Sequence, residues 1–338
     1  MAMDVMDGDT DMTRATSSPG SSDWLSQLAG TLRTTCLPTI MALGVIGNAL
    51  TLTVMSLRKN RTSVMYFYLR ILAVSDTLSL SVFLPNFVVS FDPGWTEFTS
   101  FPVIYCIISR YFGDVFYGNS MWLVVIIAVD RVIAIRFPLD SMVWCTMGRA
   151  KRIAITAGVL VSAFNIPNLW RRPKVIEDSI ECVLVPDLIQ FESISESVNS
   201  AIPVAFVLIF NIIIITSVRS HNRKRKRTLS TKADTSQDGG MTAILILVAT
   251  AMLIINVPYF CFTTTLTYIL PTFTANNPSL TYFLMSFFYC LWMMNNSINF
   301  FLYCLASKYF RNDLLGLKVD DPSINLQSPV DRKLHSNF

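Results

Sequence analysis

The chain has 338 residues, of which 52% are apolar and 15% charged, with a net charge of +4 and a mean hydropathy of +0.48. Soluble domains carry roughly 25% charged residues, so these figures exclude a disordered chain, a collagen-like chain and an ordinary cytosolic enzyme. Two histidines and seven scattered cysteines leave almost no material for a zinc box, a histidine base or a disulfide scaffold.

Residues 1–33 are polar and carry Asp4, Asp7, Asp9, Asp11 and Asp23. No basic stretch precedes a short apolar core there, so the segment is expected to be disordered and not a cleavable signal peptide. Seven apolar segments follow, at Cys36–Leu57, Val64–Phe91, Phe101–Ile135, Ala150–Trp170, Ser195–Val218, Met241–Leu270 and Thr281–Cys304. Each is long enough for the roughly 20 residues of a bilayer-spanning helix. Backbone in lipid must satisfy its own hydrogen bonds, so such segments form helices, whereas barrel strands would be shorter and would alternate. The expected fold is an all-α membrane protein, with a seven-helix domain over residues 34–305. A short amphipathic helix over 306–317 should follow, with Tyr309, Phe310, Leu314 and Leu315 on one side and Lys308, Arg311 and Asp313 elsewhere, suited to the membrane surface. Residues 318–338 read as a disordered tail.

Loop charge gives an orientation. The loops after the first, third and fifth spans hold fourteen Lys and Arg, and the alternate loops hold three, Arg171, Arg172 and Lys174. The positive-inside rule then puts the amino terminus outside and the carboxyl terminus, with its tail, in the cytoplasm. The net charge needs no nucleic-acid partner to explain it.

Ionisable groups inside spans are expensive and usually functional. Asp76 sits mid-span between neutral neighbours and needs partners from other helices. Asn48, Ser120, Asn295, Asn296 and Asn299 all lie at mid or inner depth and could join it in one polar cluster. A carboxylate ringed by hydroxyl and amide oxygens suits a sodium ion; a hydrogen-bonded structural knot without an ion fits the same spacing equally well. Asp130 and Arg131 end the third span, where a local snorkelling pair is the plain reading. Cys106 and Cys182 both face an oxidising compartment, which admits a disulfide, with Cys36 as a competitor. Pro85, Pro167, Pro203 and Pro258 fall in or near the outer halves of spans, where missing backbone donors kink helices and open a cavity. Ser230 follows the basic run ending at Arg227 and is a candidate kinase site that would add negative charge to that loop. No enzymatic triad, phosphate loop or metal box is present.

Taken in order, these residues resemble the rhodopsin-like family of G-protein-coupled receptors, from about Cys36 to Leu315. The likeness rests on Gly47-Asn48, the Leu72-to-Asp76 run, Cys106 with Cys182, Trp95-Thr96-Glu97-Phe98, Asp130-Arg131-Val132 followed by Pro138-Leu139, Pro203, Pro258, and Asn295-Asn296-Ser297-Ile298-Asn299-Phe300-Phe301-Leu302-Tyr303. The resemblance implies a two-state helix bundle biased by an outer ligand. Asp130 would restrain Arg131 at rest, Asn299 and Tyr303 would rearrange, and a G protein would enter beneath Arg131 with Leu139 packing against it. Arrestin is a further partner of the family. Asp76 with Asn48, Ser120, Asn295 and Asn299 would be the sodium-linked pocket, sodium acting as an allosteric ligand and no other cofactor being required. The expected location is the plasma membrane. Several positions depart from the family pattern: Val132 replaces a tyrosine, Phe300 replaces the seventh-span proline, and Asn256 stands where a tryptophan normally precedes Pro258 by two residues.

For the ligand, Met293 occupies the place of the retinal lysine of visual pigments, which disfavours a light receptor. Amine receptors carry an aspartate where this chain has Gly113; Asp114 beside it is rotated by about 100° on the helix, so an amine is disfavoured though open. Arg110, Asp114, Tyr117, Glu196, Tyr259, Thr263, Met285, Tyr289 and Trp292 can line an outer cavity. Mixed charge with aromatic walls suits a short peptide, and the resemblance is strongest to invertebrate neuropeptide receptors of the FMRFamide-receptor type. The residues 171–191 are long enough for a hairpin lid. An atypical receptor that binds without nucleotide exchange, and a carrier or channel, are the alternatives; a carrier would need a continuous polar path and an internal repeat, and neither is visible.

Overall fold

The computed structural model describes residues 22–57, 63–91, 101–176, 179–227, 236–265 and 271–316. Helix begins at Ser22, inside the stretch expected to be disordered. Helix α1 (Ser22–Thr31) runs through a π-helical turn, Leu32–Cys36, into α2 (Leu37–Met55). The amino-terminal helix is held by contacts that the sequence alone does not display: it packs on a later helix, and Arg33 lies over the ring of Tyr282, 5.0 Å from its centroid.

The remaining long helices are α3 (Val64–Phe91), α4 (Phe101–Arg136), α6 (Met147–Phe164), α8 (Ile202–Arg227) and α9 (Ser236–Thr264). Shorter elements intervene: α5 (Pro138–Trp144), the hairpin β1 (Arg171–Ile176) and β2 (Ser179–Leu184), α7 (Ile189–Glu196) and α10 (Pro271–Asn276). The seventh long helix is divided into α11 (Pro278–Ser297) and α12 (Asn299–Ala306), and α13 (Lys308–Leu314) follows it.

Six stretches among the described residues are long and apolar enough to cross a membrane: Trp24–Met55, Val64–Phe83, Ile104–Arg136, Met147–Trp170, Pro186–Ser220 and Ile246–Thr263. The α11–α12 helix falls short of them because Asn295, Asn296 and Ser297 interrupt its apolar run next to the break at Ile298. It is nevertheless central, packing against α2, α3 and α9. Large apolar side chains such as Ile46, Ile155, Leu160, Ile209 and Ile254 point away from the bundle. In water such a surface would aggregate; in lipid it is the solvated face.

Among the described residues, three apolar clusters fill the interior. One, at the end carrying Asp130, joins Tyr68, Leu72, Leu123, Ile127, Leu302, Tyr303 and Phe310. The second joins Leu37, Met41, Leu80 and Met293, and the third Tyr117, Met121, Val207 and Met252. Close approach of α2 to the seventh helix depends on glycine. A Cβ added at Gly47 would sit 2.9 Å from the Cβ of Phe300, the residue that replaces the family proline. Helix α13 is started by Ser307, whose side chain accepts from the Phe310 amide at 3.2 Å. Its apolar side is split, a departure from the single expected face: Phe310 turns inward against Tyr303 and Phe300, while Leu315 stays exposed.

Hairpin formation over 171–184 matches the expected lid. The strands pair antiparallel, with Arg171 opposite Leu184 and Pro173 opposite Cys182.

Candidate functional site

Residues of α3, α4, α7, α9 and α11, the π-helical turn Ser197–Ala201 and Arg171 at the start of the hairpin enclose a cavity of about 100 Å³. Eight of the nine residues expected there line it: Arg110, Asp114, Tyr117, Glu196, Tyr259, Thr263, Tyr289 and Trp292. Met285 does not; it lies two helical turns above Trp292, away from the lining. Six lining residues were not anticipated: Phe83, Arg171, Ser195, Asn199, Ser200 and Phe260. The polar run at Ser195, Asn199 and Ser200 inside an apolar segment was the available signal, and Arg171 had counted only as loop charge.

The walls are polar and preorganised. Asn168 donates to the Asp114 carboxylate at 2.9 Å and accepts from Nε of Arg171 at 3.3 Å. Asn199, placed by a π-helical turn at Ser197–Ala201, donates to Asn165 Oδ1 at 3.0 Å and to Ser195 at 3.0 Å. A helix-ending 3-10 turn at Ile166–Trp170 presents Asn168. Two acids and two guanidinium groups therefore share one small cavity, Asp114 and Glu196 against Arg110 and Arg171.

Its floor is aromatic. The Trp292 ring lies 4.8 Å from Tyr117, 5.4 Å from Tyr289, 5.6 Å from Phe83 and 5.8 Å from Tyr259, centroid to centroid. These spacings are the favourable range for ring pairs. The tryptophan missing ahead of Pro258 is thus answered by one from the neighbouring helix.

Beneath the floor runs a chain of side-chain hydrogen bonds. The Tyr117 hydroxyl donates to Asn256 Oδ1 at 3.1 Å and lies 3.4 Å from Ser200 Oγ. Asn256 Nδ2 donates to the Met252 carbonyl at 2.9 Å and to Asn295 Oδ1 at 3.0 Å. Asn295 donates to Asn296 Oδ1 at 3.1 Å, and Asn296 donates to Ser79 at 3.0 Å. Asn48 donates to the Asn296 carbonyl at 2.9 Å. Asn256 and Asp76 are both fully buried.

Of the five residues expected to surround an ion, three meet directly. Ser120 donates to Asp76 Oδ1 at 2.5 Å and Asn299 donates to Oδ2 at 2.7 Å. Asn295 does not bond Asp76; it belongs to the asparagine chain, because Asn256 reaches it first. Asn48 Oδ1 is buried with no hydrogen-bond partner among the described residues. A buried carboxylate with a hydroxyl on it, and a buried amide oxygen without a partner, are oxygen donors of the kind that a hard cation takes.

At the opposite end Asp130 and Arg131 form an ion pair, with Nε of Arg131 at 3.1 Å from the carboxylate. Asp130 is buried, and Tyr303 lies in the apolar cluster that contains Tyr68 and Ile127. Leu139, on α5, is 79% exposed. Cys106 is disulfide-bonded, whereas Cys36 is a free exposed thiol. Only the backbone of Cys182 is described, and Ser230 lies outside the described residues.

A sequence profile of the 7 transmembrane receptor (rhodopsin family) matches residues 47–303. Among curated relatives, the FMRFamide receptor of Drosophila melanogaster is 23% identical over 291 residues, covering 81% of this chain and 51% of the relative. The sex peptide receptor of the same fly is 26% identical over 42% of this chain and 34% of its own length. Neuropeptide receptor 15 of Caenorhabditis elegans is 28% identical over 40% of this chain and 39% of its own length. The chain spans about half the length, or less, of most curated relatives that it matches.

Proposed function

Because this chain belongs to the rhodopsin family of seven-transmembrane receptors, we propose that an extracellular peptide switches it and that a heterotrimeric G protein receives the signal at the plasma membrane. It is a multi-pass membrane receptor and not an enzyme. The carrying observation is the mixed-charge cavity over an aromatic floor that is hydrogen-bonded to the buried asparagine chain. Relatives named for peptides support the same ligand class.

An apolar cavity of about 150 Å³ holds a benzene-sized molecule, so about 100 Å³ accepts one side chain or terminal group. The body of the peptide would rest above it, against the hairpin. A cationic group would pair with Glu196 or Asp114, and an anionic one with Arg110 or Arg171. The amino terminus is outside in this reading, as loop charge argues. Cys182 is the partner assigned to Cys106, tying the hairpin to α4. At the cytoplasmic end, release of Arg131 from Asp130 would open the G-protein site, with Leu139 as an apolar contact and Asn299 and Tyr303 repacking. Arrestin and a kinase acting on Ser230 would act on the same face, and α13 would lie along the inner membrane surface.

A sodium ion would be held by Asp76, Ser120 and Asn48 Oδ1, with Asn299 and Asn295 beside it. When bound it supplies a positive charge that braces the helices carrying those oxygens.

The test is guanine-nucleotide exchange in membranes expressing the chain with a panel of G proteins, challenged with short amidated peptides and with amines. Peptide-stimulated exchange that Glu196→Lys with Asp114→Arg abolishes is the expected result. An unchanged response in that double variant would end the cationic-contact reading, and an amine response would replace the peptide. Peptide binding without exchange would favour an atypical receptor, the second reading that Asn256 in the tryptophan's place supports.

A further inference from the structure

A second cavity, of about 230 Å³, opens between α3, α4, α5 and α6 at the end that carries Asp130. Its walls include Trp122, Ile126, Trp144, Cys145, Ala150 and Ile153. Scaled from the benzene-sized cavity, it has room for an apolar segment of about nine carbons. Ile153 and Trp144 are both half-exposed, so the cavity communicates with the lipid-facing side of the bundle.

A cation, Arg149, stands at its edge. Thr146, Ala150 and Ile153 face the cavity from α6 and the residue before it, and Arg149 occupies the adjoining position of the same helical face. Its guanidinium lies over the Trp144 ring, 4.6 Å from the centroid. Nη1 of Arg149 is buried with no hydrogen-bond partner among the described residues. A buried guanidinium donor without an acceptor is unfavourable unless something else supplies the oxygen. The cavity's own acid, Asp130, is taken by Arg131. Lys151 and Arg152 add two exposed positive charges next along the helix. A tryptophan with a basic cluster marks headgroup depth in a bilayer.

We propose that this cavity binds an anionic membrane lipid, its acyl chain between Trp122 and Ile153 and its phosphate accepting a hydrogen bond from Nη1 of Arg149. The lipid would wedge α5 against α4 beside the Asp130–Arg131 pair. The inference rests on the membrane-receptor reading for its location, but its test needs neither agonist nor G protein.

Cys145 reports on occupancy because it is a free thiol in the wall. The full chain is reconstituted in nanodiscs of phosphatidylcholine alone, or of phosphatidylcholine mixed with phosphatidylglycerol. Alkylation of Cys145 by a membrane-permeable reagent is followed by site-resolved mass spectrometry, with Cys304 as internal reference. Phosphatidylglycerol is expected to slow Cys145 labelling about fivefold, the effect of one cation–phosphate pairing. Arg149→Gln should abolish the difference between the two membranes. Ile153→Trp, which fills the cavity from an exposed position, should slow labelling in both. Equal rates in the two membranes would overturn the proposal, as would protection that persists in Arg149→Gln. Protection by phosphatidylcholine to the same degree would mean a neutral acyl filling and would overturn the anionic assignment. In each of these failures peptide-stimulated exchange could still be measured, so the receptor reading would be judged separately.

Discussion

The hydroxyl of Tyr117 and the amide of Asn256 meet at 3.1 Å in a fully buried setting, and the strength of that contact can be measured without any ligand. Asn256→Leu keeps the approximate side-chain volume but removes the acceptor for Tyr117 and the donor for Asn295. Each buried group left short of a partner costs about 1–3 kcal/mol, so the single variant should lose about 2 kcal/mol or more. Tyr117→Phe removes only the donor, and should lose about 1–3 kcal/mol through the stranded Asn256 oxygen. In the double variant neither the Tyr117 hydroxyl nor the Asn256 oxygen remains to be stranded, so the two single losses do not add. The coupling energy should therefore be about 1–2 kcal/mol, within the range for residues in one network. Thermal unfolding of the purified receptor in one lipid-detergent mixture reads all four species; a loss of 1 kcal/mol moves the midpoint by about 2–4 °C in a protein of roughly this size. Losses that add to within about 0.5 kcal/mol would refute the hydrogen-bonded chain beneath the cavity floor. Asn256→Trp, which restores the residue usual in the family, should also lower the midpoint, because Asn256 is fully buried and an indole there would overpack and break its bonds to Tyr117 and Asn295.

Three further outcomes follow from single sites. Gly47→Ala should cost about 1–3 kcal/mol by overpacking against Phe300, and Phe300→Ala in the same chain should recover part of it, both read as melting midpoints. Asp76→Ala strands the donors of Ser120 and Asn299 and should cost about 2 kcal/mol or more; in the unaltered chain, sodium chloride should raise the midpoint above that in choline chloride, and Asp76→Asn should remove the difference. Burial, with the charge of Asp130 second, pushes the Cys145 thiol up to about 11. Since the thiolate is the reactive form, its alkylation by iodoacetamide should climb about tenfold per pH unit well beyond pH 8.5, where an ordinary thiol levels off; a plateau near pH 9 would contradict that burial.

Bilayer thickness fixes helix length and apolar content so tightly that the spans were legible from residue type alone, with Val64–Phe91 agreeing to the residue. Boundaries set by contacts between helices were not. The helix at Ser22–Thr31 has a polar sequence and is held by packing on α11. The site divides in the same way. Charged residues inside spans announce themselves by being costly in lipid, as Arg110 and Asp114 do, and Trp292 is read beside them as an aromatic wall. Asn165 and Asn168 carry no such signal, and Asn199 shows only as part of a polar run at the start of an apolar segment. Their role depends on a 3-10 turn and a π-turn that rotate three amides toward one another, and no period of 3.6 residues foretells that.

The unusual residues of this chain become intelligible when taken in pairs. Asparagine in place of the tryptophan before Pro258 removes a large ring from α9, and the ring of Trp292 on α11 occupies the floor instead. Phenylalanine in place of the seventh-helix proline would collide with any side chain on α2, and Gly47 supplies the room. In the first pair a large ring stands on a different helix; in the second, a glycine that matches the family pattern gives room to the larger side chain. A directional contact is introduced at the same time: α4, α9 and α11 are joined through Tyr117, Asn256 and Asn295, where an indole would offer a single donor. Ring packing tolerates sliding by fractions of an ångström, whereas a buried amide chain has a few discrete arrangements separated by broken bonds. A bundle joined in this way should move between its states in fewer, steeper steps than one that turns on an aromatic ring.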